Sequence, residues 1–255
     1  MLFKLTIATI FHRKSWAICA FAILMLPFVL PYISTAVERP VLVQPARIQA
    51  AWSILWIASL VWGLFTAAKE GERNAQSGIG EYFQTTGIGG TGQLLQIWLA
   101  VFAYILPMVM ITVLISQFGA RPNNPAESDW WLTLNLQYAV LMMLVLAPLI
   151  ALAIALASRF GGITGFSITL LLAVYGLYGV GLLENLANVE SKSSIFRNII
   201  LFSPHYRFAD LTQRLYFKSG ALSPETFGSM VIYFLAICAM LTGVSRLIVR
   251  SRANY

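Results

Sequence analysis

The sequence has little charge for its length. Only 11% of its 255 residues are Asp, Glu, Lys or Arg, while 58% are hydrophobic. A typical soluble domain carries about 25% charged residues. So few charges cannot cover a globule of this size, and lipid must replace water over most of the surface. The sequence therefore predicts an integral membrane protein.

Cysteine and histidine are also scarce, with two of each. Cys19 and Cys238 lie in apolar stretches, where we expect no disulfide, and two thiols do not make a metal site. His12 and His205 are interpreted as interfacial polar residues, because a zinc or haem site would need more ligands and no His-Glu-x-x-His pattern occurs. We expect neither a metal centre nor a haem.

Motifs for nucleotide binding and for catalysis are missing as well. No G-x-x-x-x-G-K-[ST] loop occurs, and the glycine-rich run at 87–92 lacks the lysine that reaches the phosphates. Gly165-Phe166-Ser167 begins a nucleophile elbow, but Ile168-Thr169 breaks it. No histidine or lysine lies within an apolar stretch to activate a serine. We expect a non-enzymatic chain that binds no cofactor of its own.

Six apolar stretches have the roughly 20 residues that a spanning helix needs. We place them at about 15–36, 49–68, 97–118, 133–157, 162–183 and 230–249. No polar segment is long enough to bury a core of its own. We therefore expect a single transmembrane domain over residues 1–255, with an all-α fold of six transmembrane helices.

Basic residues orient these six spans, whose even number places both termini on one side. With the N-terminus in the cytoplasm, nine Lys and Arg fall on the inner side and eight on the outer side. Five of those eight lie in the long segment after span five, and long loops are weak topology signals. Without them the count is nine against three. We expect both termini in the cytoplasm, and we attribute the net charge of +7 to topology rather than to nucleic-acid binding.

Five segments outside the spans have distinct patterns. The start MLFKLTIATIFHRK predicts an interfacial helix before span one. The proline-containing segment at 38–44 predicts an extended link, and 119–129 is rich in turn-forming residues. Residues 158–162 predict a tight turn formed by Gly161 and Gly162. The segment at 184–229 mixes charge with helically spaced apolar residues, which indicates interfacial or partly re-entrant helices; a small outer cap without function is the alternative.

The span centres contain no Asp, Glu, Lys, Arg or His. Charged residues inside a membrane are costly and mark ion paths or proton relays. Carriers driven by protons or sodium normally use such residues or broken polar helices. Any transport by this chain must therefore take its energy from another source.

A long polar stretch, residues 69–98, interrupts the apolar pattern between spans two and three. Its order of residue types resembles the cytoplasmic segment of the permease subunits of ABC-2 type exporters. The matching residues are, in chain order, Glu70 and Glu72-Arg73, Gly78 or Gly80, Glu81-Tyr82-Phe83, Thr85-Thr86 and Gln93-Leu94-Leu95. The proline near Thr86-Gly87 and the lysine at the entry to span three, both frequent in that family, are absent here.

The resemblance implies a half-transporter of a bacterial-type inner membrane. Two such chains, identical or similar, would pair, and each would be held by a separate cassette ATPase that binds ATP and Mg²⁺. A cytoplasmic coupling helix between spans two and three would contact that ATPase. Its residues would be Gly80, Glu81, Tyr82, Phe83, Thr85 and Thr86. The alternative interpretation is an ordinary solvated loop whose aromatic residues touch the membrane interface.

An apolar or amphipathic substrate would then pass along aromatic side chains of spans two and five, which we assign to Trp52, Trp56, Tyr175 and Tyr178. For each of these residues, packing and lipid contact is the alternative. The resemblance also extends to the last outer segment, at Pro204, Tyr206 and Asp210. A second hypothesis for the whole chain is a membrane scaffold or assembly factor that docks a cytoplasmic partner and moves nothing. Membrane lipids are partners under either hypothesis.

Overall fold

The computed structural model describes residues 1–34, 39–189 and 194–249, and within these ranges the chain is helical without a β-strand. The first half contains α1 (Leu2–His12), α2 (Ser15–Ile33), α3 (Pro40–Ala58), α4 (Leu64–Gln76), α5 (Ile79–Thr85) and α6 (Gly90–Leu114). The second half contains α7 (Pro125–Ser128), α8 (Trp131–Phe160), α9 (Gly162–Val174), α10 (Val180–Val189), α11 (Ser194–Phe202), α12 (Thr212–Tyr216) and α13 (Pro224–Ile248). A 3₁₀ turn, Tyr206–Ala209, lies between α11 and α12.

In the described ranges, six helical runs are long and apolar enough to cross a membrane. They are Ser15–Ile33, Val41–Gln76, Gly90–Gly119, Pro125–Phe160, Gly162–Ala187 and Pro224–Ile248, with mean hydropathies from 1.6 to 2.9. Helices satisfy their own backbone hydrogen bonds, as a lipid environment requires. The predicted all-α class is therefore confirmed for the described residues, six helices are long and apolar enough to be the predicted spans, and the chain is a multi-pass membrane protein. Residues 35–36 of the first predicted span lie outside the described residues.

Three of the spans contain a π-helical turn. These turns are Ser59–Gly63 between α3 and α4, Ile115–Gly119 after α6, and Tyr175–Gly179 between α9 and α10. A π turn inserts one extra residue into the helical repeat and is frequent at functional sites. Each turn continues the run it belongs to, so that α3 and α4 form one span and α9 and α10 another.

The predicted extended link at 38–44 is wrong from residue 40 onward. Pro40 is the first residue of α3, and Pro45 lies inside the same helix. A proline at the first helical position removes an amide that would have no partner within the helix, so it is well tolerated there. Span two consequently begins well before the predicted position 49. Residue 38 lies outside the described residues.

The predicted turn at 158–162 is also shorter than expected. Helix α8 continues to Phe160, and α9 begins at Gly162, so that Gly161 alone joins them with a φ of +94°. That backbone conformation favours glycine. The two helices then pack closely, because a Cβ at Gly165 would lie 2.5 Å from the backbone nitrogen of Ala157.

Helix α8 is the centre of the molecule. It is apolar on all sides, which is the pattern of a helix enclosed by others. In its most apolar stretch 83% of the residues are buried, against 22%, 28% and 11% in spans one, five and six. Those three spans form the periphery and present most of their apolar surface to lipid or to another protein.

The bundle has two ends. The α5 end contains α1, the last turns of α4, α5, the α8–α9 joint and the end of α13. The opposite end contains the 119–130 connection and the segment from Ser203 to Ser223. Residues 190–193 of the predicted outer segment lie outside the described residues.

Candidate partner-docking site at the α5 end

A short helix, α5, lies in the polar stretch between spans two and three. Two glycines in left-handed conformations bound it: Gly78 with a φ of +75° and Gly87 with a φ of +87°. Residues with side chains rarely adopt these angles. The Thr85 and Thr86 hydroxyls donate to the carbonyls of Tyr82 and Phe83 at 2.7 and 2.8 Å, which satisfies acceptors at the helix end.

The inner face of α5 is fixed to its own chain. The Gln93 side-chain amide donates to the carbonyls of Gly80 and Ile88, both at 2.9 Å, and its oxygen accepts from Asn74 at 2.7 Å. A Cβ at Gly80 would lie 2.7 Å from the Asn74 carbonyl oxygen. Phe83 is only 4% exposed. Gln93 therefore joins α5 to the end of α4 and the start of α6.

This arrangement divides the predicted coupling residues between a buried face and an exposed face of α5. Gly80 and Phe83 were expected to contact a partner, but both face the interior of the chain itself. The reason is geometric: a seven-residue helix that rests on a bundle turns about half of its residues inward. The sequence pattern could not tell which half.

Glu81, Tyr82 and Thr85 form the outer face of α5, and we call them the α5 surface. Tyr82 is 58% exposed, although its ring contacts Phe83 at a centroid distance of 5.5 Å. Thr86, at the end of the helix, is also exposed. An open apolar hollow of about 340 Å³ lies beside Tyr82 and is lined on its other side by Met1 and Leu5 of the N-terminal segment. The α5 surface thus combines an acid, an aromatic ring and a neighbouring apolar hollow.

A buried carboxylate connects the N-terminal helix to span two. Glu70 of α4 is 4% exposed and pairs with Arg13 at 3.1 Å and with Arg73 at 3.7 Å. Arg73 also donates to the Thr9 hydroxyl at 2.6 Å. A buried charge needs such partners, because leaving water is costly. The predicted interfacial helix α1 is therefore attached to α4 by side-chain contacts.

A second carboxylate connects α4 to span five. One oxygen of Glu72 accepts a hydrogen bond from the Gly162 amide at 2.8 Å, at the first turn of α9. Its other oxygen pairs with Lys69 at 2.8 Å. An anion at a helix N-terminus meets unpaired amides and the positive end of the helix dipole. From the sequence, Glu70 and Glu72 were used only as acidic residues that carry the resemblance, and their contacts between helices were missed.

Trp52 and Trp56 lie in the interior of the bundle and do not line an open path. Trp52 is fully buried, donates to the Asn135 side chain at 3.2 Å and stacks on Tyr138 at a centroid distance of 3.9 Å. Trp56 donates to the Tyr138 hydroxyl at 2.8 Å. In the single chain, the two tryptophans that were assigned to a substrate path pack α3 against α8.

Tyr175 and Tyr178 lie in the π turn of span five and differ in environment. The Tyr175 hydroxyl is within 2.6 Å of the Ser203 hydroxyl, so this side chain is tied to the outer segment. Tyr178 is 62% exposed. Of the four predicted path residues, Tyr178 is the one that the chain presents on its surface.

The segment around Pro204, Tyr206 and Asp210 packs among the helices. The Tyr138 hydroxyl contacts both the Asp210 carboxylate and the Thr212 hydroxyl. Tyr206 is fully buried against Gly176 of span five, and burial raises the pKa of its phenol. The Pro204 carbonyl also lies beside Gly176. These contacts connect the outer segment to α8 and to span five.

Metal-binding side chains are not grouped in the described part of the chain. Within residues 1–34, 39–189 and 194–249, no cluster of three or more His, Cys, Asp or Glu side chains is arranged to hold a metal ion.

Comparison of the chain with protein-family models, with curated proteins and with solved structures gives no match. The fold and the site therefore define a class only: a multi-pass helical membrane protein with a short helix braced at one end of its bundle.

Proposed function

We propose that this chain is the membrane-spanning permease subunit of an ATP-driven exporter. It would pair with a separate cassette ATPase, which binds ATP and Mg²⁺, and it would move an apolar or amphipathic substrate. The observation that carries this proposal is α5, whose inner face is fixed by Gln93 and Gly80 while the α5 surface is exposed. A helix held in this way can transmit force from a partner.

The contacts of α4 support the proposal by giving that force a route. Helix α5 is joined to the end of α4 through the Asn74–Gln93 hydrogen bond. Helix α4 is in turn joined to the start of span five through Glu72 and Gly162. A push on α5 would therefore reach span two directly. It would reach span five through the Glu72–Gly162 hydrogen bond and through the packing of α4 on α9, where the rings of Phe65 and Phe166 lie 5.5 Å apart. No charge in the span centres offers ion coupling as a substitute.

The α5 end is cytoplasmic in this proposal, and the membrane is a bacterial-type inner membrane. The distribution of basic residues supports this orientation, with nine on that side against three in the short segments of the other side. Both termini would then lie in the cytoplasm, where a cassette ATPase would dock.

We place the substrate path between two copies of the chain, identical or similar. Trp52 and Trp56 fill the interior of the single chain, so an internal path through them would require the core to open. Spans one, five and six are the least buried, and Tyr178 is exposed on span five. A second copy that covers part of this periphery would enclose Tyr178.

The first test is whether a gene next to that of this chain encodes a cassette ATPase. The full-length chain is then purified together with that ATPase. We expect Tyr82→Ala to reduce co-purification of the ATPase and to lower ATP turnover by the complex about tenfold, because a buried aromatic anchor contributes strongly to an interface. Phe160→Ala is the matched control, since Phe160 is 56% exposed at the same end but lies outside the α5 surface. An ATPase that co-purifies equally with both variants would contradict the proposal.

A membrane scaffold that docks a partner without transport is the second candidate. The closed interior around Trp52 and Trp56 favours it. The two candidates differ in what docking does: a permease changes the ATP turnover of its partner and moves substrate across a vesicle membrane, whereas a scaffold changes neither. Reconstitution of the complex into sealed vesicles distinguishes them.

A further inference from the structure

An apolar groove opens on the lipid-facing surface near the α5 end of the bundle. Its volume is about 260 Å³. Helix α6 contributes Leu94, Leu95 and Trp98, α8 contributes Ala151, and α13 contributes Thr242 and Arg246. The three helices are not consecutive in the chain, so the groove exists only in the folded protein.

The wall of the groove is held in place before any ligand arrives. The Trp98 indole donates to the Ala147 carbonyl of α8 at 2.7 Å and stacks on Phe102 at a centroid distance of 4.9 Å. A side chain fixed in this way loses little entropy when a ligand packs against it. The Trp98 wall of the groove is therefore preorganised for a ligand.

The charge in the groove has one sign. Arg246 lies in the last turn of α13, is exposed, and forms no ion pair with another residue of the described ranges. Every described residue that lines the groove is apolar, hydroxyl-bearing, thiol-bearing or basic; none is acidic. An apolar slot that ends in an unpaired guanidinium is complementary to an amphiphile with an anionic head.

We propose that this groove binds one phospholipid with an anionic headgroup, taken from the leaflet at the α5 end. The phosphate lies against Arg246, whose planar donors match phosphate oxygens. An acyl chain lies along Leu94, Leu95 and Trp98. A zwitterionic lipid is bound less well, because its own cation approaches the guanidinium. The site does not depend on the proposed transport function.

Quenching of Trp98 fluorescence by brominated lipids tests the site. The full chain is reconstituted in vesicles of phosphatidylcholine with or without phosphatidylglycerol, one of the two lipids being brominated. The chain has seven tryptophans, so the Trp98 signal is taken as the difference from Trp98→Phe. We expect brominated phosphatidylglycerol to quench Trp98 more strongly than brominated phosphatidylcholine at equal content.

Two variants and a control distinguish a specific lipid site from a general attraction of anionic lipids to the basic residues of this end. Arg246→Gln should reduce the preference for phosphatidylglycerol about tenfold, the value of one charge-assisted contact. Ala151→Leu fills the groove and should reduce quenching by both lipids. Arg159→Gln removes another exposed arginine of the same end, one that does not line the groove, and should leave the preference unchanged.

Three outcomes would overturn the proposal. They are equal quenching of the unaltered chain by both lipids, an unchanged preference in Arg246→Gln, and an equal loss of preference in Arg159→Gln, which would indicate surface charge alone. Circular dichroism and size-exclusion chromatography of each variant verify that the fold is intact.

Discussion

Gly80 lies where α5 crosses the end of α4, and its small size permits the crossing. A Cβ at this position would lie 2.7 Å from the Asn74 carbonyl oxygen and 3.2 Å from the Gln93 side-chain oxygen. Cβ atoms are not found that close to backbone oxygen, so a larger residue must displace α5. The same residue accepts the Gln93 hydrogen bond through its carbonyl.

We expect Gly80→Ala to destabilise the protein by about 1–3 kcal/mol, the usual cost of forcing extra volume into a packed contact. Thermal unfolding of the purified chain in detergent measures this change. Gly228→Ala is the control, because Gly228 lies in α13, where a Cβ would meet no atom within 4 Å, and alanine favours a helix there. An unchanged unfolding temperature for Gly80→Ala would show that α5 does not rest on α4 in this way.

At the scale of elements, helix α4 contacts the N-terminal helix, α5 and the start of span five. Its Glu70 holds α1 through Arg13, and its Glu72 holds the start of α9 through the Gly162 amide. The polar end of span two therefore contacts the N-terminal helix, the short helix α5 and span five. An element with these contacts is the natural route between α5 and the rest of the bundle.

We expect Glu72→Ala to separate docking from coupling. The α5 surface is unchanged in this variant, so a cassette ATPase should still co-purify, but stimulation of its ATP turnover should fall severalfold because the α4–α9 hydrogen bond is lost. Glu225→Ala is the matched control, an exposed acid in the first turn of α13 at the opposite end. Full stimulation in Glu72→Ala would contradict a route through Gly162.

At the scale of the whole molecule, one buried hydroxyl connects the interior of the bundle to its outer segment. The Tyr138 hydroxyl accepts from Trp56 and contacts Asp210 and Thr212. Helix α3, helix α8 and the segment before α12 therefore meet at a single atom. Networks of this kind are costly to break, because each remaining partner is left buried without a hydrogen bond.

We expect Tyr138→Phe to destabilise the fold by about 1–3 kcal/mol, since it leaves the Trp56 indole and the Thr212 hydroxyl short of a partner. Unfolding in detergent measures the loss, and hydrogen exchange should locate it in the 203–216 segment and in α3. Tyr32→Phe is the control, because Tyr32 is 62% exposed. Equal stability of the two variants would show that the network contributes little.

The sequence by itself determined the class and the number of spans. Lipid selects for long apolar runs whose backbone bonds are internal, and that requirement is local, so composition and run length predict it at 97–118 or 133–157 without any tertiary information.

Tertiary structure alone decided which side chains face inward. Gly80 and Phe83 could not be separated from Glu81 and Tyr82 by sequence, because the face of α5 that packs depends on where Asn74 and Gln93 lie. From the sequence, Trp52 and Trp56 were assigned to a substrate path. Only the folded structure shows that they contact Asn135 and Tyr138, which lie more than 80 positions away in the chain. Contacts between distant residues depend on helix packing, and the spacing of residues along one helix carries no information about its neighbours.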